Sequence, residues 1–472
     1  MLEKNTEIIV CIESIGANGE GIAKLDRFVI FIPFALPGEK VKIKILKVKQ
    51  NLAFAKVIEI LTPADDRVRP KCKVFNKCGG CQLQHMKYSV QLKLKAKNIT
   101  DNFYKIAGIN ADVLPTVKSD YIYGYRNKLQ LPIGIDYEGN TVIGFFAEGS
   151  HRIVPIESCP IHPKWSEDII SIINEYINKF NVKGYDDFTK TGLLRHIIVR
   201  EIGGKFIICL VINDNKIENI DYLISQISDK FKIFNFYVNI NNSESNVIFG
   251  KKFICLYGEE KFNEEEFGIS FFAGPETFVQ INSEIRRKLY DKTIKLAGND
   301  SLVIDAYSGG GLLTAMLAKN CGLAYGIEII PEAVNCADEL AEKNGLVGKM
   351  INICGKVEDK LKPLITSLNN PDFTIILDPP RKGCDLAVIR AILELKPKKI
   401  IYISCNPSTL ARDIGIITGN LIFNEKNIVK NTDINESNAN YKIEVIQPYD
   451  MFPQTKHIET LISLNLNDQK YS

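Results

Sequence analysis

Residues 301–320 read SLVIDAYSGGGLLTAMLAKN: an apolar run carrying Asp305, a loop through Gly309, Gly310 and Gly311, and then an apolar helical stretch from Leu312 to Lys319. Outward from it the same rhythm repeats. LAYGIEI (323–329) precedes the amphipathic PEAVNCADELAEKNG (331–345), FTIILDPP (373–380) precedes LAVIRAILEL (386–395), and KKIIYISCNP (398–407) extends the series. Continuous apolar runs alternating with amphipathic helices predict an α/β domain over 273–472 with a doubly wound parallel sheet. Ligands of such sheets sit at the carboxyl ends of the strands. The polar motifs of this region all lie at such ends.

Two further segments precede this one, so the chain reads as multidomain. Residues 1–62 are short strands broken by turn residues (IIVCIESI, GANGEG, RFVIFIP, ALPGE, KVKIKILKVK), the pattern of a small β-barrel. The alternation Val41-Lys42-Ile43-Lys44-Ile45 places aliphatics on one face and lysines on the other. Residues 63–272 mix strands with a helix expected at 165–180, an antiparallel α+β pattern. The stretch NEKNIVKNTDINESNAN (424–440) breaks the rhythm and reads as a flexible surface excursion outside the sheet.

At 472 residues, 45% hydrophobic and 24% charged, the composition is that of an ordinary globular protein. No run approaches the roughly 18 to 20 apolar residues of a membrane span, and MLEKNTEIIV has no signal-peptide core, so a cytoplasmic protein with no membrane partner is expected. A net charge of +3 does not by itself indicate a polyanionic partner. The basic residues do cluster: Lys40, Lys42, Lys44, Lys47, Lys49 and Lys56 on the barrel, then Lys87, Lys93, Lys95 and Lys97. They fit either a solvated face or a nucleic-acid surface, as do Arg126, Lys128, Arg195 and His196 in the central segment.

The glycine loop lets a ligand approach the backbone closely. Glu328, near the end of the following apolar run, can accept hydrogen bonds from both hydroxyls of a ribose. The pair suits a nucleoside cofactor. A dinucleotide site remains the rival, since Gly309-x-Gly311 begins the same fingerprint, but position 314 is Thr where a third glycine belongs. Asp305 before the glycines is more typical of adenosylmethionine sites.

Asp378-Pro379-Pro380-Arg381-Lys382-Gly383 and Ser404-Cys405-Asn406-Pro407 bring a carboxylate and a thiol to strand ends, and DMFPQTKHIE (450–459) adds Glu459. Carbon 5 of uracil is too weakly nucleophilic to accept a methyl group unaided. A thiolate adding to carbon 6 makes carbon 5 reactive, and a base must then remove the carbon 5 proton so that the thiol can leave. Cys405 and Glu459 suit those roles, with Asp378 holding the uracil edge or the cofactor.

Seven of the twelve cysteines are scattered, many among apolar residues, which favours small buried hydrophobes. Cys72, Cys78, Cys81 and Cys159 form a four-thiol set with Gly79 and Gly80 between two of them. Four cysteines suit zinc or an iron–sulfur cluster, and spacing alone leaves the choice open.

SCNPSTLARD, DPPRKG, DMFPQTKHIE and Phe278-Val279-Gln280-Ile281-Asn282 together resemble the RNA uracil-5 methyltransferase family, of the 23S rRNA (uracil-5-)-methyltransferase type, in the right order over the C-terminal third. The N-terminal barrel resembles the OB-like TRAM RNA-binding domain that many members carry. The resemblance implies a Rossmann-like S-adenosylmethionine-dependent domain and places the enzyme in rRNA processing, as a monomer methylating carbon 5 of a uridine in 23S ribosomal RNA. A transfer RNA, or another RNA base, is the alternative. It further implies Cys405 as nucleophile and Glu459 as base. Gln280, Tyr307, Glu328 and Asp378 are placed around cofactor and uracil, with Phe278 against the uracil. For Cys72, Cys78, Cys81 and Cys159 it implies a 4Fe–4S cluster.

Overall fold

The computed structural model describes residues 2–259, 262–277, 280–299, 301–369, 371–424, 427–433 and 439–467. It forms two compact units: residues 1–94, 120–259 and 452–456 make one, and 95–119, 260–451 and 457–472 the other.

The first unit begins with a six-stranded sheet in the order Glu7–Cys11, Lys40–Val48, Leu52–Thr62, Phe28–Ile32, Gly21–Leu25, Ser14–Ile15. Its strands share one core of Val10, Ala23, Ile30, Val41, Ile43, Ile45 and Ala53. Val41, Ile43 and Ile45 are fully buried while Lys42 and Lys44 are not, as the alternation predicts. Lys42 pairs with Glu7 on the neighbouring strand at 2.9 Å.

A seven-stranded sheet follows, in the order Lys252–Tyr257, Phe234–Ile240, Lys205–Ile212, Leu194–Ile202, Lys128–Ile135, Thr141–Phe146, Ile153–Pro155. Helices Trp165–Phe180 and Ile220–Lys230 cover it, burying Ile173, Ile177 and Ile227 against Leu129, Leu131, Ile197, Val199 and Leu210. The expected antiparallel pattern is broken once, because Lys205–Ile212 and Phe234–Ile240 pair in parallel. The intervening helix Ile220–Lys230 is the crossover that a parallel pair requires.

The second unit contains the α/β sheet. Its strands are β1 (Ser301–Ala306), β2 (Gly322–Glu328), β3 (Met350–Cys354), β4 (Thr374–Leu377), β5 (Lys399–Ser404), β6 (Tyr441–Tyr449) and β7 (Glu459–Leu466). They are ordered β3-β2-β1-β4-β5-β7-β6. β3 to β5 run parallel, and their buried Ile304, Ile327, Ile375, Leu377, Ile400 and Tyr402 share a core with Ile462 and Leu464 of β7. The sheet is not parallel throughout: β7 runs antiparallel to β5, and β6 antiparallel to β7. That reversal matters for the site, since it brings the start of β7 to the end of β5. The stretch expected to be a flexible excursion at 424–440 contains a strand: Asn427–Lys430 returns along Leu421–Asn424 as a separate two-stranded hairpin. Residues 425, 426 and 434–438 lie outside the described residues.

Candidate active site

β5 is buried from Ile400 to Ser404 and is followed at once by helix Pro407–Thr418. The turn between them is held by side chains. Ser404 Oγ accepts from Asn406 N at 3.1 Å, and Asn406 Oδ1 caps the helix by accepting from Ser408 N at 3.1 Å. Asn406 Nδ2 donates to the carbonyl of Arg381 at 2.9 Å, tying this turn to the one after β4. Cys405 is left half-buried between them.

Ser404 is paired directly with Thr460 in the β5–β7 ladder, so Cys405 and Glu459 emerge next to each other where that ladder ends. Leu377 pairs with both Ala306 and Tyr402, which aligns Asp378 with Tyr307 at the same edge. Burial is the main influence on these groups. It pushes the Cys405 thiol up to about 11; the Glu459 and Asp378 charges add to the rise and Arg381 opposes it. Burial also raises Asp378 to about 7. It holds Glu459 well above the usual carboxylate range, with Asp378 raising it further and Arg381 lowering it.

On the neighbouring strands, Glu328 Oε2 accepts from Gly309 N at 3.0 Å and Oε1 from Ile330 N at 2.9 Å. Asp305 is buried and accepts from Thr314 Oγ1 at 2.6 Å; burial, with Asp378 and Glu328, lifts it to about 7. A Cβ on Gly309 or Gly310 would meet nothing within 4 Å. Open space above the loop, beside a carboxylate at a strand end, fits a nucleoside cofactor. Tyr307 has a left-handed backbone at φ 70°, and its ring packs against the core, where its phenol interacts with Cys384. Gln280 lies half-buried ahead of Asn282, which caps helix Ser283–Ala297. Phe278 and Val279 lie outside the described residues.

Two family models match this chain: the TRAM domain over residues 2–58 and tRNA (uracil-5-)-methyltransferase over residues 87–467. An uncharacterized RNA methyltransferase of Clostridium acetobutylicum is 36% identical over 476 residues, covering 99% of each chain. Another from Halalkalibacterium halodurans is 36% identical, covering 99% of this chain and 98% of its own. The chain belongs to the tRNA (uracil-5-)-methyltransferase family. It is an S-adenosylmethionine-dependent RNA methyltransferase with an N-terminal TRAM domain.

In fold, the methyltransferase matches the crystal structure of Pyrococcus abyssi tRNA (uracil-54, C5)-methyltransferase in complex with S-adenosyl-L-homocysteine. The TM-score is 0.73 at 24% identity, over 97% of this chain and 99% of that one.

The expected metal ligands are brought into one region of the first unit but not into a coordination cage. Cys159 feels Cys81, Cys72 and Cys78 electrostatically, and Cys78 lies near Cys72. Yet among the described residues no group of three or more His, Cys, Asp or Glu side chains is arranged to hold a metal ion. Burial pushes Cys81 up to about 11 and Cys159 up to about 12. As a donor set the four thiols suit a thiophilic metal.

Sequence reasoning missed Arg381, the cation that acts on both Cys405 and Glu459. Its position directly after Asp378-Pro379-Pro380 at a strand end was the available signal. None of the described helices is long and apolar enough to cross a membrane.

Proposed function

We propose that this methyltransferase acts on carbon 5 of one specific uridine in RNA, through covalent addition of Cys405 to carbon 6 of the uracil. The observation that carries this reading is the Ser404–Thr460 pairing, which sets a thiol beside a carboxylate where the β5–β7 ladder ends. Glu328 and the glycine loop, with Tyr307 and Gln280, would hold S-adenosylmethionine, which supplies an electrophilic methyl group. The Cys405 thiolate adds to carbon 6 and leaves electron density on carbon 5, while Asp378 holds the uracil edge. Once carbon 5 is substituted, Glu459 takes its proton, the carbon 5–carbon 6 double bond re-forms, and Cys405 departs as thiolate. A base unstacked from the RNA requires a stacking partner and edge contacts, the roles given to Phe278 and Gln280.

The TRAM domain and the four-cysteine set support ribosomal RNA, of the 23S type, as the substrate of a monomeric cytoplasmic enzyme. Transfer RNA is the second reading, because the fold matches that of an enzyme named for transfer RNA. Mapping 5-methyluridine in RNA from cells with and without the protein tests both. Loss of one ribosomal 5-methyluridine is expected. Loss only from transfer RNA would move the assignment there, and no loss from either would refute the reading.

Cys72, Cys78, Cys81 and Cys159 are assigned to a 4Fe–4S cluster with a folding or RNA-positioning role, supported by their mutual proximity and thiol chemistry. Anaerobically purified protein should carry about four irons per chain. Stoichiometric zinc without iron would overturn the assignment.

A further inference from the structure

Asp413 lies on helix Pro407–Thr418, eight residues past Cys405, and is fully buried. Its carboxylate has no role in the chemistry above, and burying such a group costs several kcal/mol unless its oxygens are satisfied. They are satisfied by a particular set of groups. Oδ2 accepts from Tyr402 Oη at 2.6 Å and from Cys384 N at 2.9 Å, and Oδ1 accepts from Arg412 Nε at 2.7 Å. Arg412 in turn donates to the carbonyls of Lys382 at 3.1 Å and Cys384 at 3.3 Å. Between those residues Gly383 is at φ 79°, and a Cβ there would stand 2.5 Å from Asp413 Oδ2. Only glycine lets the turn rest against the carboxylate.

The same helix also holds the residue before this turn. The carbonyl of Arg381 accepts from Asn406 Nδ2 at 2.9 Å and from Thr409 Oγ1 at 3.2 Å. Asn406, Thr409, Arg412 and Asp413 therefore grip 381–384 along its length. That turn follows Asp378 and carries Arg381, the cation beside the thiol and the second carboxylate. A core that needed only filling would be served by an apolar residue at 413. A carboxylate whose bonds converge on this turn and on β5 instead fixes a direction.

We propose that Asp413 is a positioning residue for methyl transfer: with Arg412 it clamps the 381–384 turn to the helix behind Cys405 and so holds Arg381 over the Cys405–Glu459 pair. The inference rests on the role proposed for Cys405. Its test reads the thiol directly, so it can fail independently of which RNA is modified.

The experiment measures the pH dependence of iodoacetamide alkylation at Cys405 by peptide mass spectrometry, in full-length protein and in Asp413→Asn, Arg412→Ala, Arg381→Ala and the Asp413→Asn/Arg381→Ala double variant. Arg412 is partly exposed, so its variant guards against a fold lost at position 413. Arg381→Ala should move the alkylation midpoint upward by about one pH unit. Asp413→Asn and Arg412→Ala should move it in the same direction, and the double variant no further than Arg381→Ala alone. Turnover should fall about 10- to 100-fold in the clamp variants with KM for adenosylmethionine unchanged. A lowered melting temperature with an unmoved alkylation midpoint would overturn the proposal, as would additive shifts in the double variant. If Cys405→Ala retained full turnover while the midpoints shifted as expected, the role of Cys405 would fail and the clamp would stand.

Discussion

Lys95 Nζ lies 2.5 Å from Asp450 Oδ1, and both side chains are buried, at 2% and 0% exposure. Lys95 belongs to helix Tyr88–Asn102, and Asp450 immediately follows β6, at the head of the segment that leads to Glu459. Asp450 N also donates to Val117 O at 2.9 Å. A desolvated pair of this kind adds little net stability over an apolar pair of equal volume, but losing one partner strands a charge. It therefore specifies where the chain leaves β6, and with it the path by which Glu459 reaches the end of β5.

Lys95→Met should accordingly destabilise the protein by about 3–5 kcal/mol, whereas Lys95→Met combined with Asp450→Leu should recover most of that loss. Urea unfolding of the two variants checks this. Equal losses in the single and double variants would mean that the charge pairing is not what matters.

Glu328 takes two backbone N–H groups with one oxygen each, which orients the carboxylate at the mouth of the glycine loop. If it also receives the ribose hydroxyls, Glu328→Ala should weaken adenosylmethionine binding about 10- to 100-fold, the scale of charged hydrogen bonds. Calorimetry should show little change for Cys405→Ala, whose thiol is assigned to the uracil. Unaltered affinity in Glu328→Ala would remove that residue from the cofactor assignment.

Asp378 gives a pH signature. Burial raises its carboxyl from 3.8 to about 7, so the folded protein holds this proton more tightly than the unfolded chain. Its stabilising contribution is complete below about pH 4 and is lost as pH rises through about 7. Asp378→Asn has no such proton to lose. Relative to the parent, its melting temperature should be higher at pH 8, by the equivalent of about 4 kcal/mol, and the advantage should shrink toward pH 4.5. Turnover should fall in the same variant. A pH-independent difference in melting temperature would mean that Asp378 ionises normally.

Much of this site is legible in the amino-acid sequence alone, because each motif is local: an apolar run specifies a strand, and the polar residues just after it occupy its end. Helix Trp165–Phe180 and the alternation at Val41–Ile45 are equally local. What cannot be read there is set by distant parts of the chain. Nothing in the composition of residues 459–466 says that this strand runs antiparallel to β5, yet that direction is what sets Glu459 beside Cys405. Asp413 looks like a solvent-facing polar residue on an amphipathic helix, and only the return of the 382–384 turn onto it makes it buried. The hairpin at 427–430 is hidden by the polar residues around it.

The order of chemical steps separates Cys405 from Glu459 most sharply. In the proposed mechanism thiolate addition and methylation precede proton removal, so a protein without the thiol would form no bond to RNA. On the same proposal a protein without the base would form the bond and not release it. Cys405→Ala should therefore give no covalent adduct, and Glu459→Gln should accumulate RNA attached through Cys405. With labelled RNA and adenosylmethionine, denaturing electrophoresis should show a slow, nuclease-sensitive band for Glu459→Gln and none for Cys405→Ala. Glu459 is buried, so if it is the base, hydroxide should rescue the Gln variant only slowly at high pH. Rapid turnover without an adduct in Glu459→Gln would pass the proton to Asp378, whose carboxyl is also raised by burial. An adduct in Cys405→Ala would instead implicate another thiol. Cys384 is the nearest candidate in sequence to Asp378, but it is 4% exposed with its thiol pushed up to about 12, which makes it a poor nucleophile.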